Sequence, residues 1–328
     1  MYKYVALILF FVLPQLEVVA QDRNGITGIR DTSYNLPNEY LRNLKKYPFI
    51  QLVPDSATAN VLEKRNVVYD RIKKRELQLD VFYPSTSLTK KRTAIIFIHG
   101  GGWRSGDKTM HHALMQHLAA IGYVGITPEY RLSTEALFPA AVEDIQAAIR
   151  WTRKNAAQYN IDPDKIVIAG HSAGGELAAF IGTLEGEYSL TNKKTTSKWS
   201  SKANAVIDVD GTLSFVHPES SETKPDQKRT GSALWLGYLP AENPDLFKEA
   251  SPLSHAGPQC PPYLFINSSV DRMHAGREDF ITILNQHAIH SQTKTFADAP
   301  HTFCFFRPWF DDIVNTIDHF LIRIFSEQ

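Results

Sequence analysis

The sequence predicts an α/β fold built on a mostly parallel, eight-stranded sheet with helices on both faces. Two patterns carry this expectation. Short runs that are apolar along nearly their whole length recur through the chain, as in Ala94–Ile98 and Tyr263–Asn267. A strand reads this way when both of its faces are buried. Between such runs lie stretches with apolar residues at helical spacing, and strands alternating with helices make a parallel sheet covered on both sides. The chain has 328 residues, 43% hydrophobic and 21% charged, enough for a large core in one domain with decorations.

The first twenty residues stand apart. Lys3 is followed by the unbroken apolar run Val5–Leu13, and Val18, Val19 and Ala20 precede Gln21. This is the pattern of a cleaved secretory signal at residues 1–20, with a run too short for a comfortable membrane span. A periplasmic or secreted protein, free of the membrane after cleavage, is expected. Residues 21–62 mix glycine, proline and polar residues without a sustained period and read as a lead-in packed outside a domain at 63–328.

Strand patterns follow at Asn66–Tyr69, Glu76–Tyr83, Ala94–Ile98 and Val124–Thr127, then at Lys165–Ala169, Ala205–Val209, Tyr263–Asn267 and Thr293–Phe296. Only Asp70–Lys74 separates the first two, so they form an antiparallel hairpin at one edge. Helical patterns occupy His112–Ile121, Pro139–Tyr159, Ala173–Leu184, Arg277–His287 and Trp309–Phe325. In the second, Val142, Ile145, Ala148 and Ile149 share one face, and Pro139 suits a first turn. Residues 212–250 break the alternation. Pro218, Pro225, Pro240, Pro244 and the polar run Glu219–Arg229 mark a small insertion, expected to lie over the active site.

Lysine plus arginine equals aspartate plus glutamate at 35 each, so no long-range field gathers nucleic acid. Neither GxGxxG nor GxxxxGK[ST] occurs, which leaves nucleotide binding without support. His111, His112 and His117 have no carboxylate completing a ligand set at helical spacing. No metal and no organic cofactor is expected. Cys260 precedes one strand and Cys304 follows His301, at opposite ends of the sheet. That separation exceeds the roughly 7 Å between Cα atoms that a disulfide tolerates, so no bridge is expected.

Chemistry concentrates at Gly170-His171-Ser172-Ala173-Gly174, a GxSxG motif between an apolar strand and a helix beginning at Ala173. A sharp strand-to-helix turn strains the serine backbone, and the flanking glycines leave room for it. The hydroxyl then stands at a helix N-terminus whose positive end favours a developing anion, so Ser172 is the expected nucleophile. His99-Gly100-Gly101-Gly102-Trp103 follows the strand Ala94–Ile98, and consecutive glycines let backbone N–H groups approach an oxyanion. The N–H groups of Gly101, Gly102 and Ala173 are assigned to that hole, each worth about 2.7–4 kcal/mol of barrier. His99 reads as a structural partner in the glycine loop.

Serine needs a base within reach. His301 follows the last strand in a short loop stiffened by Pro300, a better mount than those of His255, His287 or His290. In the chain order serine, acid, histidine, the acid is expected at Asp271, four residues past Asn267. Asp279 is its strongest rival, with Glu278 and Asp298 behind. Glu176 reads as a complement to the helix dipole, and Glu143 and Asp144 as solvated or capping residues. Arg104, Arg272 and Arg277 flank the site loops, where rim salt bridges or a galacturonate carboxylate would be their partners.

These motifs resemble the hormone-sensitive-lipase and carbohydrate-esterase branches of the α/β-hydrolase superfamily. The resemblance rests on HGGGW at 99–103, on Tyr130-Arg131-Leu132 with Phe138–Asp144, and on Gly170–Gly175. His171 departs from the lipase-like branch, which usually has Asp there, and reads as core packing. Ala299–Phe310, with Pro308-Trp309-Phe310 soon after the histidine, is similar to bacterial acetylesterases acting on xylan or pectin. The resemblance implies an α/β-hydrolase fold and a serine esterase that deacetylates carbohydrate. Trp103 is the candidate sugar-stacking face, with core packing its other reading. Rival functions are a feruloyl or general carboxylesterase, a single-domain serine peptidase, and a catalytically degenerate binding protein.

Overall fold

Residues 25–56, 59–86, 90–186, 188, 197–221 and 230–326 are described by the computed structural model. The signal expected at 1–20, and residues 222–229 of the insertion, lie outside the described residues. In chain order the elements are α1 (Leu36–Leu44), β1 (Gln51–Leu52), β2 (Val61–Ile72), β3 (Arg75–Pro84), β4 (Arg92–Ile98) and α2 (His112–Ala120). Then come β5 (Val124–Pro128), α3 (Ala140–Lys154), β6 (Ile161–His171), α4 (Ala173–Gly182), β7 (Ala205–Val209) and α5 (Gly231–Leu236). The chain closes with α6 (Pro244–Glu249), β8 (Tyr263–Asn267), α7 (Arg277–Gln286), β9 (Ser291–Thr295), β10 (Phe306–Arg307) and α8 (Phe310–Ser326).

The main sheet has eight strands in the order β2-β3-β5-β4-β6-β7-β8-β9. β2 and β3 form the expected antiparallel hairpin at one edge, and β3 also runs antiparallel to β5. All remaining pairs are parallel. Successive side chains of a strand point to opposite faces, and this divides the core in two. Ala94, Ile96, Ile98, Ile166, Ile168, Val206 and Phe265 pack with Val142, Ile145, Leu177 and Phe280 of α3, α4 and α7. Ile95, Phe97, Val167, Ala169, Ile207 and Leu264 pack on the other face with Leu114, Leu118, Ile317 and Phe320 of α2 and α8. Cys260 belongs to the first core and Cys304 to the second, and both are free thiols. Among the described residues no helix is long and apolar enough to cross a membrane.

The lead-in holds more structure than its composition suggests. Asn35 caps α1 by accepting from the Asn38 N–H at 2.9 Å, and Leu36, Tyr40 and Leu44 pack on the second core. β1 pairs antiparallel with β10, Leu52 facing Phe306. A nine-residue helix is marginal alone. Its stability comes from that packing, which local periodicity does not report.

A buried polar knot fixes the segment after the glycine loop. The fully buried Asp80 on β3 accepts from Lys108 Nζ at 2.6 Å, His112 Nε2 at 2.8 Å and the Asn66 N–H at 2.6 Å. Burial alone would raise this carboxyl. The bonds from His112, Lys108 and Asn66 outweigh it and hold the pKa at about 2. Removing one partner of a buried ion pair leaves the other charge uncompensated. Asp80→Ala is therefore expected to cost about 3–5 kcal/mol in guanidinium unfolding; a loss under about 1 kcal/mol would contradict this account of the knot.

Candidate active site

Ser172 joins β6 to α4 with φ 57° and ψ −123°, the strained turn that the motif implies. The glycines around it are required by close approach. A Cβ on Gly170 would lie 2.0 Å from the Gly174 carbonyl oxygen, and one on Gly174 would lie 2.2 Å from the Ile98 carbonyl oxygen. The Ser172 N–H donates to Val209 at 2.9 Å, anchoring the turn to β7. Its hydroxyl lies 2.8 Å from His301 Nε2.

On the far side of that imidazole stands Asp210, not Asp271. His301 Nδ1 lies 2.9 Å from Asp210 Oδ2. Asp210 directly follows β7 with φ 52°, and its N–H donates to Ile266 of β8 at 3.0 Å. Aspartate tolerates this left-handed conformation better than most residues. The side chain is thereby turned over the end of β8, where Ser268 donates its N–H at 2.7 Å and also its hydroxyl. His274 Nε2 approaches Asp210 Oδ1 to 3.4 Å. Burial would push this carboxyl up, but the approach of His274 and the bonds from His301 and Ser268 hold it well below the usual carboxylate range. Asp271 sits in an exposed 3-10 turn, Asp271–His274. The rival Asp279 is exposed beside His217 at 3.4 Å. Spacing along the chain points to a loop after β8, whereas the acid follows β7. The available sequence signal was Asp208-Val209-Asp210-Gly211, a strand end running into an Asp-Gly turn at the same sheet edge as Ser172.

The glycine loop is held from several sides. Gly101 (φ 118°), Gly102 (φ 60°) and Trp103 (φ 57°) are all left-handed. Gly102 and Ala173 border the same cavity as Ser172, and Ala173, first residue of α4, has no intrahelical acceptor for its N–H. Gly101 is not on that wall. It turns the chain, its carbonyl accepting from Ser105 at 3.0 Å, and a Cβ there would lie 2.1 Å from the Ser105 oxygen. His99 stacks on Tyr130 at 4.5 Å, with Nδ1 2.8 Å from the Gly100 oxygen, and burial lowers its pKa to about 4.

Trp103 is a bracket, not an open stacking face. It is 7% exposed. Its ring lies 4.8 Å from Trp235 of the insertion at an interplanar angle of 6°. Its indole N–H donates to Glu176 Oε2 at 3.0 Å. Glu176 is fully buried, and burial raises its carboxyl well above the usual range. Burial thus works against the anionic dipole complement expected of it, and its carboxyl accepts the Trp103 indole N–H. Asp144 likewise proves buried: it accepts from the Arg131 N–H at 2.8 Å and from its guanidinium.

His171 packs against the ring of His301 at 4.8 Å, and its Nε2 lies 2.8 Å from the His301 carbonyl oxygen. The side chain beside the nucleophile thus positions the backbone of the base. Insertion residues Thr212, Phe215, Ser220 and Ser232 line the cavity opposite the glycine loop. The cavity has a volume of about 230 Å³.

The BD-FAE profile matches residues 79–276, which span the glycine loop, Ser172 and Asp210. The chain belongs to the BD-FAE family. Its fold is that of the α/β-hydrolase superfamily. Among sequence relatives it is similar to carboxylesterase NlhH of Mycobacterium tuberculosis, 32% identical over 145 residues, 44% of this chain and 43% of that one. The chain thus spans less than half the length of that relative. Among solved structures, a truncated carbohydrate esterase from gut microbiota superposes with a TM-score of 0.67 at 26% identity, covering 80% of this chain and 98% of the other. The esterase Est2 of Thermogutta terrifontis gives 0.64 at 26%, covering 81% and 93%.

Burial, and then the charge of His301, lower the His171 pKa to about 3, against 6.5 ordinarily. The unfolded chain then binds a proton that the folded one refuses. This contribution to stability is fully present above about pH 6.5 and is lost as pH falls toward the folded value. Between pH 7 and pH 5, wild type should lose about 1–2 kcal/mol more stability than His171→Gln. Parallel chemical denaturation curves at both pH values measure this, and identical losses would refute it.

Proposed function

We propose that this BD-FAE protein is a serine carboxylic-ester hydrolase acting through an acyl-enzyme on Ser172. The observation that carries the reading is the hydrogen-bonded run from Ser172 through His301 to Asp210, at 2.8 and 2.9 Å. His301 Nε2 takes the Ser172 proton as the oxygen attacks the ester carbonyl. The imidazolium is stabilised by Asp210, which stays ionised and fixes the tautomer. The tetrahedral oxyanion takes N–H groups of Gly102 and Ala173, which border the cavity beside Ser172. His301 returns the proton to the departing alcohol. Water activated by the same ring then releases the acid.

The favoured ester is an acetyl group on plant-wall carbohydrate, xylan or pectin. The cavity, about 230 Å³, lies below the roughly 300–1,000 Å³ of sites for drug-sized ligands, which suits a short acyl group better than a feruloyl one. Hydroxyls of Thr212, Ser220, Ser221 and Ser232 line it, suited to a sugar alcohol, and a structural relative is described as a carbohydrate esterase. The N-terminal pattern at residues 1–20 favours action in the periplasm or outside the cell.

Ser172→Ala should abolish p-nitrophenyl acetate hydrolysis and fluorophosphonate labelling. Asp210→Asn should lower kcat about 10⁴-fold, while Asp271→Asn should stay within about threefold of wild type, the scale of an exposed side chain with no partner role. The reverse ranking of the two aspartates would overturn the assignment of the acid. Acetate release from acetylated xylan and pectin, set against ferulate release from feruloylated xylan, tests the acyl preference.

A further inference from the structure

Three arginines flank the site, and their situations differ. Arg104 donates to the Gly25 carbonyl at 3.1 Å and lies 3.6 Å from Asp31. Arg277 donates to Asn267 at 2.7 Å and pairs with Glu278 at 2.6 Å. Arg272 is exposed on the wall of the cavity that holds Ser172 and His301. Among the described residues its guanidinium makes no hydrogen bond or ion pair. Among the described residues that line that cavity there is no aspartate or glutamate. A permanent cation therefore faces a hydroxyl-rich cavity with no anion among the described lining residues to neutralise it.

The backbone under Arg272 is well fixed. Its turn follows β8, the Met273 N–H donates to Val270 at 2.9 Å, and Met273 is buried. The next residue, His274, reaches Asp210 at 3.4 Å. Arg272 thus projects from the same turn that braces the acid. Guanidinium is the side chain best matched to a carboxylate, through two parallel N–H···O bonds. A substrate carboxylate near the reacting carbonyl would also oppose the forming oxyanion, and a neighbouring cation offsets that repulsion.

We infer that Arg272 binds a carboxylate of the substrate, so that the preferred ester lies on or beside a uronate unit of an acidic polysaccharide. This rests on the ester-hydrolase reading of the same site. It selects an acidic backbone over a neutral one.

The test uses acetylated galacturonate oligomers and the same oligomers after reduction of their carboxyl groups to alcohols. Wild type should show the higher kcat/KM on the acidic set. Arg272→Gln should lower the acidic-to-reduced ratio about tenfold, the scale of one charge-assisted contact at a partly solvated site. Arg272→Lys should restore part of it, and Arg272→Glu should invert the preference. A ratio unchanged in Arg272→Gln overturns the inference, as does wild-type turnover of p-nitrophenyl acetate with equal rates on the two oligomer sets, zero included. Calorimetric binding of both sets to Ser172→Ala, with and without Arg272→Gln, reads the contact without catalysis. Charge-selective binding that depends on Arg272, with no turnover of any ester, would sink the hydrolase reading and keep the contact. Equal binding by both variants would remove the contact whatever the catalytic result.

Discussion

The bond between His301 Nδ1 and Asp210 is the interaction on which the rest of the site depends. It holds the imidazole so that Nε2 meets Ser172 Oγ at 2.8 Å. It works only if a carboxylate with no exposed surface stays ionised. Taking such a charge out of water is costly unless hydrogen bonds replace its hydration. The fold supplies them from the Ser268 N–H and hydroxyl at the end of β8 and from the base itself, with His274 approaching to 3.4 Å. Donors from the end of β8 and from the histidine loop converge on one carboxylate, so the sheet edge and the acid are built together.

The oxyanion side is organised by a different logic. Burial there works against ionisation of the carboxyls. Glu176 and Asp208 both lie beneath the nucleophile turn, and burial raises both well above the usual range, helped by the charge of Asp208 on Glu176 and of Asp210 on Asp208. Glu176 accepts from Trp103, and Asp208 accepts the Gly211 N–H at 2.6 Å. One carboxyl held low behind the base and two pushed up beneath the serine set opposite environments on either side of the reacting hydroxyl. Environment separates groups of identical chemistry into distinct roles.

Most of the architecture was legible because its signals are local or periodic. The apolar runs of β4, β6, β7 and β8 and the amphipathic stretch of α3 stand where the pattern puts them. Ser172 and His301 were legible from motif and loop context, and the structure brings them together. Asp271 was misplaced because spacing reports which strand a loop follows, not where its side chain turns. A single residue with φ 52° sends Asp210 over its neighbouring strand, and no period encodes that. Trp103 was read through its position after the glycines. Its partner Trp235 lies across the insertion, so the stack that closes off its face is invisible to the chain order. Helix α1 escapes local periodicity for the same reason: its support comes from Thr302 and Phe306, in the segment beyond His301 at the other end of the chain.

That early segment also changes where the functional unit begins. A boundary drawn at residue 63 by composition would discard Arg30, which donates to the Gly106 carbonyl at 2.9 Å, and Tyr34, whose N–H reaches Ser105 Oγ at 3.0 Å. It would also discard Asn43, whose amide donates to Thr302 beside the base at 2.9 Å, and β1, which pairs with β10. The lead-in is a strap that ties the glycine loop to the histidine loop from outside the sheet. The smallest piece of this chain that retains those ties extends back to the start of the strap, and the two ends of the sequence hold the two halves of the reaction centre in one frame.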